Sequence, residues 1–383
     1  MRSKPHIAVV GAGAFGGWTA LHLLERGARV TLLDAWGPGN SRASSGGETR
    51  VMRGTYGPEQ PYTEMAARAL QLWQTYERRW KRRFLHRIGV LWMASGREED
   101  NAFESGSVKM LRGTKIKFQE LSASQLKKRW PQINFEGIQW GIFEPECGYL
   151  DARASCHAVV ETFVAAGGKY RQLAVQADGL ESRPLRSLAL SDGSHLKADC
   201  YVFACGPWLG SLFPQAVGGL VQPTKQDVFF FGTPAGDDRF TAAHLPVWAD
   251  HRGRFRYGIP GSDRRGFKIA DDTRGAAFDP TDGERIISLE TLKDIREYLG
   301  FRFPALKGAP LVETRVCQYE QTPDSHFIID RHPAMENVWI VGGGSGHGFK
   351  HGPAIGEIMA DLILKKRDPY ALWRLARFRV SQI

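Results

Sequence analysis

The N-terminal segment is a short apolar run, His6-Ile7-Ala8-Val9-Val10, with the hydrophobicity of a strand buried on both faces. Apolar positions through Leu21, Leu23 and Leu24 then fit a helix that stops at Gly27. Ala28-Arg29-Val30-Thr31-Leu32-Leu33 restarts as a second buried strand and ends at Asp34. The same alternation returns later. Gly148-Tyr149-Leu150-Asp151 leads into an amphipathic helix from Ala154 to Ala166, closed by Gly167-Gly168. Two strands with a turn at Asp192-Gly193 follow, and Cys200-Tyr201-Val202-Phe203 reads as a buried strand running through Ala204-Cys205 into a Gly206-Pro207 turn. Val338-Trp339-Ile340-Val341 is one more buried strand. It enters Gly342-Gly343-Gly344-Ser345-Gly346-His347-Gly348-Phe349-Lys350, after which Pro353 opens a helix with Ile355, Met359, Leu362 and Ile363 on one face.

Residues 86–147 and 216–319 have a different rhythm, richer in strand-like and turn-like segments and in aromatics. The pattern predicts an α/β (α+β) chain. Its Rossmann-like nucleotide-binding domain is discontinuous (1–85, 148–215 and 320–383), with an antiparallel-sheet substrate domain inserted as 86–147 and 216–319.

The first strand–helix–strand unit carries Gly11-Ala12-Gly13-Ala14-Phe15-Gly16 at its turn. Gly11 permits the tight turn, Gly13 lets the backbone approach a pyrophosphate, and Gly16 allows close packing of helix on strand. The helix N-terminus, through Ala14 and Phe15, presents free N–H groups to the phosphates. Asp34 stands where a carboxylate takes the adenosine ribose hydroxyls. The motif in this context specifies a dinucleotide and does not separate NAD from FAD. Its place at the N-terminus, and the polar loop Asn40-Ser41-Arg42-Ala43-Ser44-Ser45-Gly46-Gly47-Glu48-Thr49-Arg50 that follows in place of another repeat, favour an extended flavin cofactor. In the second glycine-rich junction, the helix N-terminus and Lys350 put positive charge near one end of it, which favours the anionic reduced flavin.

Composition narrows the partners. No run of about 18 apolar residues offers a transmembrane helix, and neither a cleavable leader nor a C-terminal Ser-Lys-Leu address is expected. Five cysteines (147, 156, 200, 205 and 317) with no Cys-x-x-Cys spacing point to reduced thiols in a cytoplasmic protein, and no metal site is expected. The net charge of +10 is densest at Arg78-Arg79-Trp80-Lys81-Arg82-Arg83, which reads as the solvated face of a helix without a nucleic-acid signature. A basic chain also steers small carboxylates.

Four segments together resemble the glycine/D-amino-acid oxidase superfamily, and within it the monomeric sarcosine oxidase family. They are Gly11 to Asp34, Ser44-Ser45-Gly46-Gly47-Glu48-Thr49-Arg50-Val51-Met52-Arg53, Tyr257-Gly258-Ile259-Pro260 through Gly266-Phe267-Lys268, and Cys317 through Lys350. Asp324-Ser325-His326-Phe327-Ile328-Ile329-Asp330 and Ser345 to Lys350 are the most specific.

The resemblance implies FAD as cofactor, bonded covalently to the Cys317 sulfur. Arg315 is close in sequence and offers a positive setting for the thiolate that such a bond needs. It implies cofactor contacts from Gly11, Gly13, Ala14, Phe15, Gly16, Asp34, Ser44, Ser45, Thr49, Arg50, Cys205, Gly206, Gly344, Gly346, His347, Gly348 and Lys350. Lys268 matches a lysine over the flavin that activates oxygen as a fixed cation. Arg53 and Lys350 match a pair that clamps the substrate carboxylate. Arg50, His347 and Tyr257 match residues lining the flavin and substrate pocket.

One position departs from the sarcosine oxidase pattern. Asp272 stands where a histidine is found four residues after the lysine, whereas the related fructosyl-amino-acid oxidases carry an acid there. Asp272 either accepts hydrogen bonds from a polar N-substituent or pairs with Arg274 or Arg265. The implied reaction oxidises a C–N bond of an N-substituted amino acid to an imine, with O2 reduced to H2O2. The implied partners are a small amine and O2, with no nucleic acid or membrane and a single copy of the chain. The alternatives are a fructosyl-amino-acid oxidase and a flavin dehydrogenase with another acceptor.

Overall fold

A computed structural model describes residues 4–96, 102–178, 180, 183–261 and 265–378. The expected leaderless first residues and the C-terminal tetrapeptide lie outside the described set. No described helix is long and apolar enough to cross a membrane.

The first apolar runs pair as the pattern predicts. Strand His6–Val10 lies parallel to Arg29–Leu33 on one side and to Cys200–Phe203 on the other. Met335–Gly342 continues the parallel set beyond Cys200–Phe203, and Lys169–Arg171 continues it beyond Arg29–Leu33. Ile328–His332 closes the sheet as an antiparallel edge, so its order is 328–332, 335–342, 200–203, 6–10, 29–33, 169–171. Helices Ala14–Glu25, Ala152–Ala165 and Gly352–Leu364 are the predicted helices, shifted by one or two residues at their ends.

Two glycines of the fingerprint are sterically required. Gly11 has φ +104, and a Cβ there would lie 2.2 Å from the Ala204 carbonyl oxygen. A Cβ on Gly16 would lie 1.9 Å from the Gly11 carbonyl oxygen, so the helix sits directly on the turn.

A second sheet has eight strands, all from residues 90 to 321: 311–321, 222–231, 267–271, 256–259, 247–250, 90–94, 140–144 and 119–122, in spatial order. Every pairing is antiparallel except Val90–Ala94 against Val247–Asp250. A separate core packs beneath it, built on Phe229, Phe231, Trp248, Phe267, Phe303 and the helix Leu289–Arg302. A small three-stranded sheet, Thr49–Met52, Gly148–Asp151 and Leu85–His86, carries Arg50.

Only the charged end of the helix Gln60–Trp80 is read as helix from the sequence, although Tyr62, Met65, Ala66, Ala69, Leu70, Trp73 and Tyr76 bury one face of it at helical spacing. Its charged end is spoken for in part. Arg79 pairs with Glu25 and Arg82 with Glu161, while Trp80 stacks on Trp18 beneath them.

Candidate active site

The fingerprint turn, the loop 40–50, the Cys205-Gly206 turn and the glycines after Val341 enclose one elongated cleft of about 300 Å³. Gly11, Gly13, Ala14, Phe15, Asp34, Ser44, Ser45, Arg50, Cys205, Gly206, Gly344, Gly346 and Gly348 all line it. Gly16 does not, being packed behind the turn, and Thr49 lines neither this cleft nor the chamber beyond it. A second, smaller chamber of about 70 Å³ holds Arg53, Tyr257, Lys268, Asp272, Cys317, His347 and Lys350. The two share Arg50, Tyr319, Gly346 and Phe349 and are therefore continuous at those side chains.

The cleft fits a dinucleotide on its own chemistry. Asp34 is oriented by N–H bonds from Ala12 (2.7 Å), Trp36 (2.9 Å) and Gly37 (2.8 Å), and burial raises its carboxyl above the usual range. Its remaining lone pairs face a site for ribose hydroxyls. The first turn of Ala14–Glu25 contains no acid, and its amides are the ready anion site of a helix N-terminus. Ser45 Oγ already accepts from Ala14 N at 2.9 Å, whereas Ser44 Oγ is buried with no partner. A buried hydroxyl on the cleft with no partner among the described residues is one that a ligand bound there would satisfy.

Where cleft and chamber meet, Arg50 is fixed from several sides. Its guanidinium donates to the carbonyls of Thr49 (2.8 Å), Ser44 (2.8 Å) and Gly46, and to Cys317 Sγ at 3.4 Å. The cation beside Cys317 is thus Arg50 and not Arg315, which turns to Glu313 (2.5 Å) and Glu48 (3.4 Å). A strand's period of two points Arg315 and Cys317 the same way, but the acids capture the arginine first.

Lys268 is buried, its Nζ donating to the Thr49 carbonyl (3.1 Å) and hydroxyl (3.2 Å). No carboxylate pairs with it among the described residues. Burial, reinforced by the Arg50 charge, lowers it to about 7, so Lys268 is a group that titrates near neutrality and not a permanent cation.

On the far wall, Arg53 lies 4.1 Å over the Tyr56 ring and 5.0 Å over Trp92. Lys350 Nζ donates to Tyr56 Oη and to the His347 carbonyl, both at 2.7 Å. Burial and the nearby Arg53 charge hold Lys350 well below the usual ammonium range. Two cationic side chains therefore meet on one phenol, without a carboxylate between them. His347 bonds the Ser325 carbonyl through Nε2 (2.9 Å), which places the proton on that nitrogen because a carbonyl only accepts. Burial and Lys350 keep the ring neutral, and its buried Nδ1 is an unpartnered acceptor.

Asp272 has no ion-pair partner among the described residues. Its Oδ1 accepts from Tyr319 Oη at 2.5 Å, while Arg274 donates to the Thr322 carbonyl and Arg265 pairs with Glu313 and Glu48. Desolvation raises the carboxyl to about 6, against the opposing pull of Tyr319, Arg53 and Lys350. Tyr257 faces the same chamber, its phenol pushed up by burial and by the Asp272 charge.

Three residues complete the site without having been expected. Tyr319 follows Cys317 by two on strand Leu311–Gln321, and strand alternation alone puts it on the same face. Tyr56 sits three residues beyond Arg53 and organises both cations. Glu144, fully buried, accepts from Gly54 N (2.6 Å), Thr55 N (3.3 Å), Thr55 Oγ1 and Cys147 Sγ (3.3 Å). It is the acid that shapes the Arg53–Tyr56 loop. Glu144→Ala strands those donors and is expected to lower unfolding stability by about 3 kcal/mol in urea titration. Unchanged stability would mean that the loop holds its shape alone.

The comparisons with known proteins agree with this geometry. The DAO family, described as FAD dependent oxidoreductase, matches residues 6–362. The chain belongs to that family. FAD is accordingly the cofactor whose place the cleft provides. Monomeric sarcosine oxidase of Bacillus sp. (strain NS-129) is 29% identical over 359 residues, covering 93% of this chain and 92% of the relative. Peroxisomal sarcosine oxidase of Mus musculus is 30% identical over 384 residues (97% and 95%). N-methyl-L-tryptophan oxidase of Salmonella dublin is 27% identical over 387 residues (98% and 99%). Among solved structures, L-proline dehydrogenase from P. horikoshii superposes with a TM-score of 0.85 at 21% identity over 100% of both chains. A modified fructosyl peptide oxidase from Aspergillus nidulans gives 0.81 at 20% identity, over 98% of this chain and 94% of that one. These two likenesses establish a shared fold.

Proposed function

We propose that this FAD-dependent enzyme oxidises secondary, N-substituted amino acids to imines and passes the electrons to O2, releasing H2O2. The observation that carries the reading is the meeting of Arg53 and Lys350 at Tyr56, on the wall of a small chamber that opens onto the cofactor cleft beside Cys317 and Lys268. A carboxylate seated there satisfies both cations, Arg53 by a planar fork and Lys350 as a point charge. Its arrival also favours the protonated form of Lys350, which burial alone disfavours. The chamber wall of Trp92, Val228, Val247, Trp248 and Phe255 then excludes water around the N-substituent. FAD supplies the hydride acceptor, and the protein's part is to hold the amine's C–H toward it. The names of the sarcosine and N-methyl-L-tryptophan oxidases support the same substrate class.

The site residues divide by place in this reading. Gly11, Gly13, Ala14, Phe15, Asp34, Ser44, Ser45, Cys205, Gly206, Gly344, Gly346 and Gly348 bind FAD, and Cys317 bonds it. Arg50 and His347 line it, and Lys268 serves the oxygen reaction. Residues 1–85, 148–215 and 320–383 form the FAD-binding domain, and 86–147 with 216–319 the substrate domain. The enzyme acts as a single chain in the cytoplasm with its other four cysteines as reduced thiols.

A second reading is favoured by Asp272, whose carboxylate is bonded to Tyr319 and has no ion-pair partner among the described residues. An acceptor in that position suits a hydroxylated N-substituent such as a fructosyl group. A peroxide-coupled screen across N-methyl, cyclic and fructosyl amino acids tests both. Turnover of N-methyl amino acids supports the first reading, and peroxide from none of the panel defeats it. Asp272→Asn is expected to cut kcat/KM for a fructosyl amino acid by about tenfold, the value of a lost charge-assisted hydrogen bond, while changing N-methyl substrates by less than about threefold. Equal effects on both would remove Asp272 from N-substituent selection.

A further inference from the structure

One acid in the cofactor cleft has no partner for half of its carboxylate. Glu320, next to last in strand Leu311–Gln321, is only 8% exposed, and its Oε2 is buried with no hydrogen-bond partner among the described residues. Glycine surrounds it. A Cβ on Gly344 would stand 2.9 Å from Oε1, and Cβ atoms on Gly342 and Gly206 would stand 3.2 and 3.6 Å from Oε2. The backbone N–H groups of Gly344 and Gly343 hold the carboxyl down, but burial outweighs them and raises it to about 7. No ion pair to Glu320 exists among the described residues.

Its position along the cleft decides what it meets. The fingerprint turn with Asp34 marks the nucleotide and phosphate end, and the junction at Arg50 and Tyr319 marks the end that opens on the substrate chamber. Glu320 lines the cleft beside Gly206 and Gly344, between those ends. A phosphate against an acid without a cation is repelled. The part of FAD that joins its phosphates to its ring is a polyol, and hydroxyls are the donors that an unpaired carboxylate needs. The glycines at 206, 342 and 344 keep side chains out of the space where those hydroxyls must come close.

We propose that Glu320 is a cofactor-recognition residue whose carboxylate accepts hydrogen bonds from the ribityl hydroxyls of FAD. This goes beyond the substrate reading above and rests only on FAD occupying the cleft. Half of the Glu320 carboxylate has no partner among the described residues, and the ribityl hydroxyls would satisfy it.

The test is FAD affinity in a Cys317→Ser background, where the cofactor is exchangeable, read by quenching of FAD fluorescence on titration with apoprotein. Glu320→Ala is expected to weaken FAD binding by about tenfold or more, and Glu320→Gln, which keeps one carbonyl acceptor, by a smaller factor. Thermal melting of the apoproteins separates recognition from a structural role. Glu320→Gln, which still offers an oxygen to the Gly343 and Gly344 N–H groups, should leave apo Tm unchanged or raise it, whereas an acid that holds the fold together would lower it. FAD affinity in Glu320→Ala equal to that of its parent overturns the proposal, as does a loss of affinity that tracks a lower apo Tm. A Cys317→Ser parent that binds no FAD at all overturns the cofactor reading along with it.

Discussion

Cys317→Ala is expected to release all of its FAD on denaturation, whereas the parent protein keeps one FAD per chain through denaturing electrophoresis, seen as in-gel flavin fluorescence and by intact mass. The argument is positional. Cys317 Sγ lies in the chamber, 3.4 Å from the guanidinium of Arg50, which lines both cleft and chamber and is held by three backbone carbonyls. A sulfur that attacks a flavin methyl carbon does so as an anion, and a fixed cation beside it stabilises the charge that reacts. Forming the thioether would remove one hydrogen from sulfur and one from the methyl carbon, with the two electrons passing through the flavin to O2. Cys205 lines the cleft, but burial and the Asp34 and Glu320 charges push its thiol up, and the other three cysteines are no better suited. Burial pushes the Cys156 and Cys200 thiols up to about 12, and Cys147 hydrogen-bonds the Glu144 carboxylate. Free flavin released from denatured parent protein would rule out the bond.

Lys268→Met is expected to slow reoxidation of reduced enzyme by O2 by about 10²–10³-fold, the loss typical of one preorganised charge-stabilising group. Anaerobic reduction by substrate should change by less than about threefold, because Lys268 lies toward Thr49 and away from the Arg53–Lys350 wall. The pH dependence has a definite sign. Burial and Arg50 depress Lys268 to about 7, so the ammonium is present below that pH and lost above it. Oxygen reactivity of the parent should therefore fall as pH rises through about 7, and the profile of Lys268→Met should be flat and low across that range. Stopped-flow mixing of reduced enzyme with O2 at several pH values measures both. Rapid, pH-independent reoxidation in the variant would detach Lys268 from the oxygen reaction.

The legible parts of this molecule are those where local sterics dictate sequence. Gly11 and Gly16 can be nothing larger, and the strands around them are buried on both faces, so glycine spacing and apolar runs mark the nucleotide unit directly. The inserted sheet is legible as strand-rich sequence, although its order is not, because neighbours such as Val90–Ala94 and Val247–Asp250 are far apart in the chain. Site chemistry is legible only through resemblance. Lys268 finds its partner Thr49 219 residues away, and Arg50 finds Cys317 267 residues away. No periodicity encodes such contacts. The cation nearest Cys317, the partner of Asp272 and the burial that depresses Lys268 are all tertiary facts for that reason. Glu144 is the extreme case, a lone acid in an apolar strand whose purpose is set by a loop 90 residues earlier. Tyr319 was within reach, since the strand period ties it to Cys317.

The most direct test is anaerobic titration of the purified holoenzyme with an N-methyl amino acid, followed by admission of air. The account predicts that the visible flavin absorbance bleaches with substrate, that it returns with O2, and that one H2O2 forms per amine oxidised. Bleaching should require far more substrate in Arg53→Met, which lacks half of the carboxylate clamp. Flavin absorbance that no N-substituted amino acid bleaches would contradict the account.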